Sequence, residues 1–163
     1  MASPGGCGRL RHRGAVAVAD DLAPGRDRSA ERDGRRFVHA LGHAIGTRGR
    51  LPHGLALAVV LPEVLAYYAE SPGLRDREIA LVGVALRAAS PTEEASTGTV
   101  AAIGAFRGFL ADLGLRPSLR SLGFDDAMSD VVAQDAIDDA AINNSPRLPT
   151  LAEARAILAS VLG

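Results

Sequence analysis

The 163-residue sequence predicts an all-α domain, and three observations carry that prediction. From residue 37 onward, apolar residues recur at intervals of three and four, the spacing of one face of a helix. Aromatic residues make up 4% and Trp is absent, so a core has to be built from Ala, Leu, Val and Ile, which suit packed helices better than a β-sandwich. Over the same stretch no Asn-Gly or Asp-Gly turn occurs and no run alternates apolar with polar side chains, so the strongest hairpin signals are missing.

A composition break near residue 36 sets off the start of the chain. Residues 1–36 hold 8 of the 18 Arg together with Asp20, Asp21, Asp27, Glu31 and Asp33, and show no sustained apolar period. They read as a disordered or non-homologous tail, and residues 37–163 as one compact helical domain.

Phe37, Leu41 and Ile45 recur at i, i+4 and i+8 and predict the first helix, with Gly46 and Gly49 as possible stops. Pro52-His53-Gly54 marks a turn. Residues 55–69, 13 of 15 apolar, then predict a buried helix with a bend at Pro62. Ser71-Pro72 reads as N-cap and first position of a third helix, whose core face uses Ile79, Val82 and Leu86. Ser90-Pro91-Thr92-Glu93 reads as a capping box opening a fourth helix through Val100, Ile103, Phe106, Phe109 and Leu110, closed by Gly114. Leu115 to Gly123 reads as a loop, and Asp125 to Ala141 as a helix with its acids in water. Thr150 with Glu153 is a second capping box, opening the last helix to Leu162.

Charge and composition exclude several function classes. Net charge is −1, which argues against a nucleic-acid partner or a polybasic membrane surface. The run 55–69 is shorter than the roughly 20 residues of a membrane span, so no membrane association is expected. The single cysteine, Cys7, cannot pair within the chain, which suits a reducing compartment and a cytoplasmic location. Asp125, Asp126, Asp135, Asp138 and Asp139 lack the glycine and spacing of a calcium loop and read as a solvated face. Arg107, Arg116 and Arg120 read as surface charge.

The histidines carry the only pattern with chemical content. His39 and His43 lie four apart on a predicted helix and therefore project from one face, about 6 Å apart along its axis. His53 follows behind a glycine-containing connection long enough to fold back toward them. Such a trio can converge on one ion or one substrate. Read from spacing alone, it suits a metal or active site and ordinary half-buried polar histidines about equally.

The wider motif narrows the choice. His39-Ala40-Leu41-Gly42-His43-Ala44-Ile45-Gly46, then Leu51-Pro52-His53-Gly54, then Leu61-Pro62-Glu63-Val64 resembles the H-x3-H-x-x-G, P-H-G, L-P-x-V signature of the iron-containing alcohol dehydrogenases. Leu113-Gly114-Leu115, Leu119-Arg120-Ser121-Leu122-Gly123, Asn143-Asn144, Pro146 and the helix opened by Thr150 agree with the same family. The resemblance covers roughly residues 37–163 and implies the C-terminal helical domain of those enzymes and of dehydroquinate synthase-like proteins.

What the resemblance implies is specific. His39 and His53 correspond to metal ligands, for Fe(II) or Zn(II), and His43 to the residue near nicotinamide and substrate with a proton-relay or orienting role. The implied reaction is NAD(P)-dependent oxidoreduction of a small alcohol or aldehyde, with a maleylacetate-type reductase as the alternative substrate class. The family's remaining ligands sit in a D-x3-H helix upstream. No D-x3-H precedes His39 here, and no glycine-rich nucleotide-binding domain does either. The expectation is therefore a truncated member that lacks cofactor-binding residues of its own and is inactive alone. Its partner would be a missing N-terminal half or a second copy in a homodimer. A non-catalytic helical remnant or interaction module, and a free-standing metal-binding domain, are the alternatives. Two positions depart from the family pattern: Leu57, and Tyr67-Tyr68, stand where asparagines are frequent.

Overall fold

The computed structural model describes residues 36–71 and 76–163. Among them are six α-helices and no strand: α1 (Arg36–Gly49), α2 (His53–Ala69), α3 (Asp76–Ala85), α4 (Ala95–Asp112), α5 (Asp126–Asp138) and α6 (Leu151–Leu162). Short 3-10 turns at Arg120–Leu122 and Ala140–Asn144 precede α5 and α6. The tail expected over residues 1–36 lies outside the described residues, apart from Arg36, which opens α1.

Four helices enclose the main core. Phe37, Leu41 and Ile45 of α1 are fully buried, as their spacing requires. Helix α2 is covered on most sides, burying Ala56, Val59, Val60, Val64, Tyr67 and Tyr68. Val132, Ala133 and Ala136 of α5 and Ala154, Ile157, Leu158, Val161 and Leu162 of α6 close the same cluster. Leu119, also fully buried, is pinned by its N–H to the carbonyl of Val161 at 2.9 Å. Pro62 sits inside α2 without ending it. Its ring is buried, and the one backbone bond it cannot donate is outweighed by apolar packing along the rest of the helix.

Helices α3 and α4 form a hairpin that leans on α2. Ile79, Ala102 and Ile103 make a second, small core against Leu65, Ala66 and Ala69. The two helices approach closely through glycine: a Cβ on Gly83 would lie 3.0 to 3.1 Å from Ala102, Ala89 and the carbonyl of Gly98. The hairpin departs from the sequence expectation in three ways. Pro72 lies outside the described residues, so the start of α3 is described only from Asp76. The buried face of α3 is Ile79 and Gly83, while Val82 is exposed, because contact with α4 selects the small residue. Finally, α4 begins at Ala95, not after Ser90. The Glu93 carboxylate does accept the Ser90 N–H, at 3.2 Å, but the Ser90 hydroxyl bonds to Thr92, so only half of the capping box forms.

The ends of α1, α3 and α4 share one device. The N–H groups of Leu51, Ala88 and Leu115 reach back to the carbonyls of Gly46, Gly83 and Leu110, and the residue before each has positive φ: Arg50, Arg87 and Gly114. These are Schellman-type ends, two of them with arginine in the left-handed region at a cost of about 1–2 kcal/mol. Gly49 lies inside α1, where a Cβ would meet the buried ring of Phe124 at 2.6 Å. That glycine serves close packing and not the turn. At α6 both halves of the capping box form, with Thr150 Oγ1 accepting from Glu153 N–H and the Glu153 carboxylate accepting from Thr150 N–H.

Candidate functional site

The corner between α1 and α2 gathers the three histidines. Ring centroids are 6.0 Å apart for His39 and His43, 5.7 Å for His39 and His53, and 5.4 Å for His43 and His53. Helical geometry accounts for the first distance, since i and i+4 share a face. The other two come from the sharp reversal at residues 50–52. The left-handed Arg50 ends α1, and His53 becomes the first residue of α2 after Pro52. The helices run close at Gly42, where a Cβ would lie 2.5 Å from the end of the Leu57 side chain and 3.7 Å from the Leu57 backbone nitrogen. A shallow pocket of about 290 Å³ opens at this corner, lined by Gly42, His43, Gly46, Thr47, Leu51 and His53.

His43 has a partner that the sequence reading left in solvent. Its Nδ1 lies 2.8 Å from Oδ2 of Asp139, the residue at which the chain leaves α5 in extended conformation. The other carboxylate oxygen of Asp139 accepts the N–H of Ala141 at 2.7 Å, capping the following 3-10 turn. The Ala141 N–H first, and then the His43 bond, hold the Asp139 carboxyl below the usual carboxylate range. One turn back, Asp135 takes two bonds from Arg48, at 2.7 and 3.0 Å. Asp135 and Asp139 are therefore cross-ties to α1 and not a free solvated face. Their i, i+4 spacing was legible in the sequence, but that α1 would offer a matching Arg and His required the tertiary arrangement.

The remaining charged candidates resolve into structural ties. Arg107 and Arg116 converge on the half-buried Glu63 of α2, with contacts of 2.6 and 2.8 Å. Arg120 pairs with Asp126. None of the three arginines is placed at the histidine corner.

Two imidazoles that share one ion, with nitrogen–metal distances of about 2.0–2.1 Å, place their ring centres roughly 4.5–6 Å apart. All three ring pairs fall in that range, so the distances do not single out one pair. Imidazole donors suit Fe(II) and Zn(II) alike. Among the described residues no group of three or more His, Cys, Asp or Glu is arranged to hold an ion. The corner brings three imidazoles together, with His43 engaged by Asp139. Among the described residues no helix is long and apolar enough to cross a membrane.

Comparison with known proteins points in one direction. The family described as "Fe-containing alcohol dehydrogenase family, C-terminal" matches residues 10–162, a span that reaches into the stretch read above as a tail. Lactaldehyde reductase of Escherichia coli (strain K12) is 37% identical over 119 residues, which are 72% of this chain and 30% of that protein. The 1,3-propanediol dehydrogenase of Klebsiella pneumoniae is 32% identical over 112 residues, 68% of this chain and 28% of that protein. Among solved structures, a crystal structure of 1,3-propanediol oxidoreductase superposes with a TM-score of 0.70 at 26% identity, covering 77% of this chain and 32% of that one. The chain spans about three tenths of the length of the relatives it matches.

Proposed function

This chain belongs to the Fe-containing alcohol dehydrogenase family, and from that premise we propose that it supplies the metal-side part of an alcohol or aldehyde oxidoreductase site. The observation that carries the reading is the convergence of His39, His43 and His53 at one corner, with every ring pair within 6.0 Å. His39 and His53 are the metal-holding residues. They would hold a divalent ion, Fe(II) or Zn(II), through a ring nitrogen each. His43 stands beside them as the group that moves a proton to or from the substrate oxygen. A bound metal would supply Lewis-acid polarisation of the alcohol oxygen, and NAD(P), held by groups outside the described residues, would supply the hydride chemistry.

The pocket lined by Gly42, Thr47 and Leu51 suits a small substrate. The hydroxyaldehyde and diol named in the two relatives above support a simple alcohol or aldehyde over the maleylacetate-type class. The other metal donors and the nicotinamide site are assigned to groups beyond the described residues, whether elsewhere in a longer protein or on a second copy. A cytoplasmic location accords with the single cysteine.

Two imidazoles without further donors bind weakly, so the 163-residue chain assayed alone is expected to show no NAD(P)-dependent alcohol oxidation. Its metal affinity is the direct test. Equilibrium dialysis against Zn(II), carried to concentrations that fill a weak site, should approach about one equivalent per chain for the wild type. His39→Ala and His53→Ala should each weaken binding by at least about 10- to 100-fold, the loss already seen when a residue that only supports a ligand is removed. His43→Ala should retain the metal. Wild-type binding that ignores His39→Ala, or turnover by the chain alone, would overturn this reading.

One observation favours a second reading, a non-catalytic interaction module. Leu81, Val100, Phe109 and Leu113 on the α3–α4 hairpin are large and exposed. In that case the dialysis experiment finds no site at all.

A further inference from the structure

Asp139 is held in a way that leaves its carboxylate little freedom. One oxygen accepts the backbone N–H of Ala141 at 2.7 Å, and the other faces His43 Nδ1 at 2.8 Å. Because the two bonds use opposite oxygens, rotating the carboxylate to relax one would break the other. The end of α5 is itself fixed on α1 by the two-pronged bond between Arg48 and Asp135, one turn before Asp139. The carboxylate therefore reaches His43 from a stretch of backbone tied to α1 one turn away.

His43 needs such a restraint. Its side chain is 48% exposed, and an imidazole that open to water would otherwise turn among rotamers and exchange between its two neutral forms. A carboxylate can only accept, so the neutral ring facing it carries its proton on Nδ1. The unprotonated nitrogen is then Nε2, on the side of the ring away from Asp139.

Building on the proton-moving role proposed for His43, we propose that Asp139 is a positioning residue that fixes the orientation of the His43 ring and its Nδ1–H form, leaving Nε2 as the proton-exchanging atom. A purely structural role for Asp139, capping the 140–144 turn and tying α5 to α1, makes a different prediction. An asparagine can still accept the Ala141 N–H through its carbonyl oxygen, and it turns an amide donor toward His43. A positioning Asp139 then becomes a residue that demands the opposite tautomer.

The test is long-range proton–nitrogen NMR of the uniformly ¹⁵N-labelled 163-residue chain, without added metal or cofactor. The pH is set well above the ordinary imidazole value near 6.5, and His43 is assigned by comparison with His43→Gln. Wild type should show His43 with Nδ1 protonated and Nε2 bare, the minority form of imidazole in water. Asp139→Asn should exchange the two ¹⁵N signatures, and Asp139→Glu, which keeps a carboxylate acceptor, should not. An Nε2–H majority in wild type, or an Asp139→Asn chain that keeps the Nδ1–H form, overturns the assignment. If Asp139→Asn does not fold, the wild-type signature decides alone. The readout uses no metal, so an absence of metal binding would sink the proposed function and leave this result standing.

Discussion

The four-helix part and the α3–α4 hairpin are built from the same few residue types yet held by different means. In the first, large side chains from α1, α2, α5 and α6 interlock around Phe37, Leu41, Tyr68, Leu119 and Leu158, and polar cross-ties lace α5 to α1 beside the histidines. In the second, glycine and alanine let two helices touch. Ile79, Ala102 and Ile103 form a small core with Leu65, Ala66 and Ala69 of α2, helped by the Glu63 pairs with Arg107 and Arg116, and the Thr99 hydroxyl on the Asp76 carbonyl at 2.8 Å ties α4 to α3. Local opening free energy follows buried apolar contact, so the hairpin should loosen before the part that carries the histidines.

Truncating a central side chain in each region tests this most severely. Leu41→Ala removes a fully buried side chain between α1 and its neighbours and should cost about 3–5 kcal/mol by urea unfolding. Ile103→Ala lies in the small core and should cost about 2–3 kcal/mol. Its effect in hydrogen exchange should be confined to α3 and α4. An Ile103→Ala chain that loses protection in α1 as readily as in α4 would erase the distinction between the two regions.

Alkaline pH should separate them by chemistry. Both tyrosines lie in α2. Tyr67 is buried, its hydroxyl has no hydrogen-bond partner, and the Arg147 guanidinium stacks on its ring at 4.1 Å. Burial, reinforced by the Glu153 carboxylate and opposed by Arg147, pushes the phenol up to about 12 from its ordinary 10. A group whose folded pKa is raised stabilises the fold fully below its unfolded value and loses that contribution as pH rises through the folded one. The contribution present at neutral pH should thus drain away between about pH 10 and 12, by roughly 2–3 kcal/mol at about 1.4 kcal/mol per unit. Tyr67→Phe should flatten most of this slope in urea unfolding at pH 8, 10 and 11. An unchanged slope would mean that the phenol is already solvated in the folded chain.

The regions also differ in how much of them the sequence revealed. The core face of α1 was legible because Phe37, Leu41 and Ile45 meet large partners, and large apolar residues at helical spacing are what periodicity detects. The α3 face was legible in part: Ile79 is buried as expected, but the contact residue one turn on is Gly83 and not Val82. A glycine chosen for close approach carries no hydrophobic signal, and Val82 beside it carries a misleading one. Helix stops divided in the same way. Gly114 announced the end of α4, whereas Arg50 and Arg87 take left-handed positions that glycine usually holds, and nothing local marks them. At the site, the i, i+4 histidines and the Pro-His-Gly turn stood out as a motif. Asp139 looked like one acid among five, since its role depends on which helix α5 packs against.

Glycine itself offers the smallest and sharpest comparison. Gly83 and Gly104 both sit inside helices of the hairpin. Replacing a helical glycine by alanine gains about 1 kcal/mol of backbone propensity. At Gly104 a new Cβ meets nothing within 4 Å, so Gly104→Ala should stabilise by about that amount. At Gly83 the new methyl would stand 3.0 to 3.1 Å from two alanine Cβ atoms and a backbone carbonyl. None of these is the free end of a flexible side chain, so relief requires moving α4 or the 86–89 turn. Overpacking of this kind costs about 1–3 kcal/mol, which leaves Gly83→Ala destabilising by about 1 kcal/mol net. Hydrogen exchange should show the loss in α3 and α4, with protection unchanged around His39 and His43. Should both substitutions stabilise, the two helices have room between them, and close backbone contact is not what holds the hairpin together.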